Sequence, residues 1–356
     1  MKLLLLTIAS VSISIVIIMS SSSGSSKLNT VPSPDPATII SPPEHRRPAD
    51  QTFLTFPEWF LVYSPEEFAT FTKTTTPDQF PFFGHTRQFW QAYRSVYRII
   101  KDKYAFNTGY HVMIMVIGTS TTVEYVLRSC YENTIGRLSA LTSNRFTEED
   151  HYAAKVAREY VDFIKVTPWY EFDFVSALKG VWKSNPASGK NMIRKWERRY
   201  ILTSEYAIKA AYGWIIRKMT KASYEEPLLV TSVVTNQLPP IDLTKYSQIK
   251  IVNQLPDQRV QLLLPRYDAF KDHTLLLARA GVNFSEIAGN TDVIMMTLIV
   301  PSTWKESDAD KVVFIQPILT NPSHKRVALV VPIKDLSETL RKYSQPDLIL
   351  EHVYDF

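Results

Sequence analysis

The hydrophobic period of this chain changes close to residue 227, and that change limits its fold more than any motif does. Upstream, apolar residues recur at helical spacing to about residue 222; beyond Pro227 they alternate, as in half-buried strands. Residues 248–253, 259–264, 282–287, 293–300, 312–319, 326–331 and 348–353 read as strands, with helices over 267–280 and 334–343 between them. Helices first and strands afterwards imply an α+β organisation rather than alternating βαβ units.

Each half also carries an internal repeat. Arg259-Val-Gln-Leu-Leu-Leu-Pro-Arg-Tyr-Asp268 and Arg326-Val-Ala-Leu-Val-Val-Pro-Ile-Lys-Asp335 share Arg, Val, Leu, Pro and Asp. Each copy reads as strand, proline stop, helix begun near the Asp, then strand. The expected C-terminal domain, 227–356, is therefore a duplicated unit with a mixed or antiparallel sheet and two helices on one face. Gly289-Asn-Thr-Asp292 supplies a hairpin turn between two of its strands.

In the helical half, the stretch from Thr121 to Leu138 lies over that from Leu202 to Met219 without a gap. Five of 18 positions are identical: Thr122/Thr203, Glu124/Glu205, Tyr125/Tyr206, Tyr131/Tyr212 and Ile135/Ile216. On a regular helix the Glu, the second Tyr and the Ile share one face, which places a carboxylate on an apolar stripe twice. Ser64-Pro-Glu-Glu67 reads as a capping box that starts a helix at Pro65, and Thr147-Glu-Glu-Asp150 as a second. Further helices are expected over 88–101, from 110 into the first Glu-Tyr copy, and over 191–222. The last opens with Lys190, Arg194, Lys195, Arg198 and Arg199, read as a solvated or lipid-facing stripe.

The N-terminus sets location. Residues 3–19 form an apolar run interrupted only by Thr7, Ser10, Ser12 and Ser14, with Lys2 before it and no further charge until Lys27. Such a run is long enough to cross a bilayer and longer than a usual signal core, so 1–19 is expected to be an uncleaved signal anchor. Residues 20–51 follow as a Ser/Pro-rich disordered tether, and 52–226 as an aromatic-rich helical bundle domain. The expected location is a bacterial-type inner membrane, with a single N-terminal span and the bulk of the chain outside the cytoplasm. An alternative makes 108–127 a second span.

Composition excludes several chemistries. No two of the ten glycines are closer than eight residues, so neither a dinucleotide fingerprint nor a P-loop is present. The single cysteine, Cys130, allows no intramolecular disulfide and no Cys-based zinc cage. Net charge is +5, and nucleic-acid signatures are lacking. Neither a cofactor nor a metal is expected, and Glu148-x-x-His151 alone falls short of a di-iron ligand set. Membrane lipids, through the anchor, and a protein of the envelope are the expected partners.

The candidate ligand-binding residues are His111, Glu124, Glu205, Tyr131 and Tyr212, with Trp59, Trp90 and Trp169 from the aromatic surplus. They support a membrane-anchored envelope protein of non-catalytic role, binding a partner or an apolar or lipidic ligand through the helical domain. The alternative is an enzyme, possibly metal-dependent, that uses Glu124, Glu205 and His111.

Overall fold

The computed structural model describes residues 39–143, 146–183, 188–220, 229–307 and 310–355. The expected anchor and most of the tether lie outside them. The described chain forms two compact units: 39–58, 88–120 and 229–355 make one, and 59–87 with 121–220 make the other. The sequence division at residue 226 is contiguous, whereas these units interleave. Helices α1 (Phe56–Phe71), α2 (Phe82–Ile100) and α3 (Thr108–Tyr131) each give residues to both.

The first unit contains β1 (Val230–Thr235), β2 (Lys250–Gln254), β3 (Val260–Pro265) and β4 (Phe284–Ile287), then β5 (Val293–Pro301), β6 (Lys311–Pro317), β7 (His324–Pro332) and β8 (Ile349–Val353). They form two four-stranded sheets, ordered β2-β3-β1-β4 and β6-β7-β5-β8, and the pairings within both are antiparallel. The fold is thus α+β, with two sheets in place of the single one expected. One order maps onto the other by replacing each strand with the fourth after it. The match extends to irregularities. Val233 pairs with Ile287 and Thr235 with Phe284 across a bulge; Met296 pairs with Val353 and Leu298 with Leu350 across the corresponding bulge. A bulge re-aims the strand locally, so two in register mark one structural unit used twice. Strand β1 escapes the period-2 pattern because five of its six residues are buried, which removes the alternation.

Both repeats feed one apolar core. Val233, Leu262 and Phe284 come from the first, Met296, Leu298 and Leu329 from the second. Helices α7 (Asp268–Arg279) and α8 (Leu336–Lys342), the last two of the chain, add Phe270, Leu277, Leu336 and Leu340.

Part of the expected tether is ordered against this unit. The amides of Ile40 and Ser41 each donate to the buried Glu286 carboxylate at 2.8 Å, and Ser41 Oγ donates to Ser232 Oγ at 2.8 Å. Arg47 N donates to Ala288 O at 2.9 Å. Arg46 takes part as well: its Nε donates to Ser41 O at 2.7 Å, and its stem lies against Gly289, where φ is 81° and a Cβ would stand 2.9 Å from Arg46 Cγ. Residue 52 does the same for the second repeat. Thr52 Oγ1 accepts from Met295 N at 2.9 Å and donates to Tyr354 O at 3.2 Å.

The second unit is helical. α4 (Glu148–Ile164) opens on the expected Thr147–Asp150 capping box, and α5 (Phe174–Lys183) and α6 (Met192–Thr220) come after it. Two sequence expectations change. Helix α1 starts at Phe56 and runs through Pro65, so Ser64 is not a cap; its hydroxyl bonds side chains of α2 and α3 instead. And α3 continues into a π-turn over Glu132–Gly136. Ile135 lies within this wider turn and is half exposed. Among the described residues, no helix is long and apolar enough to cross a membrane.

Candidate functional site

The two Glu-Tyr copies meet inside the helical unit. Lys209 Nζ on α6 lies 2.9 Å from Glu205 and 3.2 Å from Glu124 of α3, while Arg128 lies 3.6 Å from Glu124 and 3.3 Å from Glu205. Rising numbers on α3 face falling numbers on α6, so the copies run antiparallel. Two carboxylates and two cations neutralise one another. Burial alone would raise the Glu205 carboxyl, but Arg128 and Lys209 outweigh it and hold it at about 2. A carboxylate so stabilised is a poor general base.

A larger ionic cluster continues along the same helix pair. The Arg198 guanidinium forks onto Glu132 at 3.1 and 2.9 Å and donates to Glu197 at 2.7 Å. Arg194 donates to Asp150 at 2.7 Å, Ser139 Oγ at 2.9 Å and Gly136 O at 3.2 Å. Arg199 reaches Glu149 at 2.9 Å. Each of these charged side chains is buried, Arg194 and Arg198 to within 2%. Gly136 has to be small, because a Cβ there would stand 2.3 Å from Glu132 Oε2. The reading of Arg194, Arg198 and Arg199 as a solvated or lipid-facing stripe is therefore reversed. A signal for this existed in the sequence: Arg194, Glu197, Arg198, Glu205 and Lys209 fall on one helical stripe with both signs present.

The opposite stripe of α6 is exposed and uncharged. Ile193, Trp196, Tyr200, Ala207, Ala211 and Trp214 all face out, with Ile193 60% and Trp196 51% accessible. Leu127, Leu138 and Leu141, at and beyond the end of α3, are exposed as well. This helix pair thus buries ions beside Tyr125 and Tyr206 while leaving Trp196, Tyr200 and Trp214 exposed.

A third cluster resembles catalytic machinery. Ser64 Oγ stands 3.0 Å from His85 Nδ1 and 2.6 Å from Tyr125 OH, and His85 Nε2 stands 3.5 Å from Glu67. Ser64 and His85 are each 1% exposed, and Phe80 stacks on the imidazole at 4.7 Å. No substrate atom reaches a hydroxyl so enclosed, so the arrangement satisfies buried polar groups rather than presenting a nucleophile.

Of the other candidates, Tyr131 lies beside Glu197 of the ionic cluster, and burial together with that carboxylate pushes its hydroxyl up. His111, in the sheet-containing unit, bonds Tyr93 OH through Nδ1 at 2.8 Å and stacks on Phe106 at 4.3 Å. Trp90, of the same unit, sits edge-on to Tyr93. Trp169 stacks on Tyr212 at 5.4 Å, Tyr131 faces Tyr200 at 6.5 Å, and Trp59 lies near Tyr63 at 6.0 Å. Each of these contacts is a packing pair within its own unit. Cys130 is exposed. Among the described residues, no three His, Cys, Asp or Glu side chains converge as a metal requires.

One site in the sheet-containing unit carried no sequence signal. Tyr267 adopts φ 63° and ψ −136°, a costly backbone for a residue with a Cβ. Its neighbour Arg266 pairs with Asp355 at 3.2 Å, and Thr231 donates to the same carboxylate at 2.6 Å. Nearby Glu58 is pushed up to about 7 by burial, which a hydrogen bond from Tyr110 and the charge of Arg266 only partly oppose.

Comparison with known proteins adds no relative: no family model matches the chain, no curated protein matches its sequence, and no solved structure matches its fold.

Proposed function

We propose that the protein is a non-catalytic, membrane-anchored envelope protein whose helical unit contacts a partner protein or an apolar or lipidic ligand. The observation that carries this reading is the exposed, charge-free stripe of α6, backed by ion pairs that leave little polar chemistry on offer. The apolar run at 3–19 supports the anchor, with the bulk of the chain beyond the cytoplasm. The enzymatic alternative has less behind it. Glu124 and Glu205 are neutralised by Arg128 and Lys209, and His111 is engaged by Tyr93.

A fluorescent hydrophobic probe such as anilinonaphthalene sulfonate tests the reading. Saturable binding to native protein is expected, and it should fall strongly in the Ile193→Ser/Trp196→Ser/Tyr200→Ser variant at unchanged far-UV circular dichroism. Undiminished binding in that variant would rule out the stripe as the contact surface. Topology is tested separately with a reporter fused after Phe356, which should be active only outside the cytoplasm.

A further inference from the structure

The outward stripe of α6 has the length, end groups and setting of a surface made for lipid. Ile193, Trp196, Tyr200, Ala207, Ala211 and Trp214 succeed one another at steps of three, four and seven residues, and no charged side chain shares their line. At about 1.5 Å per residue the stripe runs for roughly 30 Å. Trp and Tyr are the residues that favour the boundary between headgroups and acyl chains, and here they stand near both ends.

Both ends are also basic. Lys190, exposed, precedes the helix. Lys218, exposed, lies one turn beyond Trp214 and places its ammonium 4.1 Å from the indole centroid. Arg137, exposed, lies beside Leu138. This charge pattern selects among occupants. A second copy of the stripe, laid parallel or antiparallel, would set lysine beside lysine at each end. Anionic headgroups meet the same ends with opposite charge. The exposed residues of α4 include Lys155, Glu159 and Asp162, a charged surface that belongs in water. The charges of α6 that would otherwise face lipid are turned inward and paired, the arrangement ionisable groups need next to hydrocarbon.

We propose that α6 seats the helical unit along the surface of an anionic bilayer, its apolar stripe pressed into the headgroup–acyl boundary and its basic ends against lipid phosphates. This rests on the apolar-contact reading and names the occupant as lipid. The unit would then lie on the membrane as an interfacial body rather than hang free from an N-terminal anchor.

The test uses the full chain in vesicles of phosphatidylcholine with phosphatidylglycerol. Cys130 is the only cysteine, so single spin labels can be placed on a Cys130→Ser background through Trp196→Cys, Ala207→Cys and, as the water-facing control, Lys155→Cys. Labels at 196 and 207 should collide with oxygen several-fold more readily than with a water-soluble nickel chelate, and the label at 155 should show the reverse. The Ala207 label exchanges one small exposed side chain for another and guards against a folding artefact. If the labels at 196 and 207 are shielded from both reagents, protein covers the stripe: the lipid proposal fails and the apolar-contact reading stands. If they meet nickel as freely as the label at 155, the stripe lies in water and the lipid proposal fails, while the apolar-contact reading is decided by the probe-binding test.

Discussion

The two units put their charge in opposite places. In the sheet-containing unit one continuous apolar core, with Leu262, Phe270, Met296 and Leu298 wholly enclosed, joins the two repeats. In the helical unit, apolar clusters among the described residues include one around Val156, Phe174, Val181 and Leu202 and another around Phe80, Phe82 and Tyr125. The space a core would fill between α3 and α6 is occupied instead by Glu132, Arg194, Glu197, Arg198 and their partners. Each unit therefore draws its specificity from a different source. Apolar burial is non-directional and tolerates exchange of like for like. A buried ion cluster tolerates no missing member, because the group left behind is a desolvated charge.

Removing one ion puts this contrast under the greatest strain. Arg198→Ala strands Glu132 and part of the Glu197 bonding, and should cost about 3–5 kcal/mol, read by urea unfolding with hydrogen exchange to assign the loss to the helical unit. A cost like that of a surface mutation would mean the cluster is wetter than its geometry implies. In the sheet-containing unit the corresponding test is a cavity. Leu262→Ala and its repeat counterpart Leu329→Ala, which pair with Ile251 and Val312 on the adjoining edge strands, should each cost about 2–5 kcal/mol. Similar values would show that the duplication extends to energetics, and a wide gap would show that one repeat carries the core.

Acid and base should separate the units as well. Glu205 is held at about 2, below its usual value near 4.5, although burial works against this and Arg128 with Lys209 bring it about. The stability it contributes is fully present above pH 4.5 and is lost as pH falls toward 2. Glu58 is pushed the other way, to about 7, by burial. Its contribution is present below pH 4.5 and is lost as pH rises through 7. Hydrogen exchange should therefore show the helical unit loosening on acidification and the sheet-containing unit on alkalinisation. Glu205→Gln and Glu58→Gln should each flatten its own limb, and a limb that survives its substitution belongs to another group.

How far the sequence could be read depends on the same divide. The strands from residue 248 onward were legible as short apolar, β-branched runs, although burial approaches alternation only in β6, and the repeat at Arg259 and Arg326 because Pro265 and Pro332 stop their strands at equivalent points. The Glu-Tyr repeat marked Glu124 and Glu205 as equivalent positions, and the structure brings them to the same two cations, Arg128 and Lys209. The buried cluster was not read, since arginines on a helix are usually solvated and their partners Glu132, Glu149 and Asp150 lie 44 or more residues away. Ser64 was misread for a related reason. Ser-Pro-Glu-Glu is a sound helix start by itself, and only Tyr125 and His85, brought in by other helices, give its hydroxyl a different use.

The smallest effect concerns a neutral group inside the helical unit, and it shows whether hydroxyls there matter as ions do. Tyr125 and Tyr206 are the aligned tyrosines of the Glu-Tyr repeat, and both are buried. Tyr125 OH meets Ser64 Oγ at 2.6 Å, in line with His85. Tyr206 packs within the apolar cluster of Val156, Phe174 and Leu202. Tyr125→Phe should cost about 1 kcal/mol, because Ser64 keeps His85 as a second partner and only one hydrogen bond is forfeited. Tyr206→Phe should cost less. A double-mutant cycle of Tyr125→Phe with Ser64→Ala isolates the pair from the rest of the chain, and a coupling of about 0.5–1.5 kcal/mol is expected. No coupling would mean that Ser64 is positioned by His85 alone. Coupling well above that range would mean that Tyr125, Ser64 and His85 act as one unit, so that the interior of α1, α2 and α3 is as intolerant of a missing member as the ionic cluster between α3 and α6.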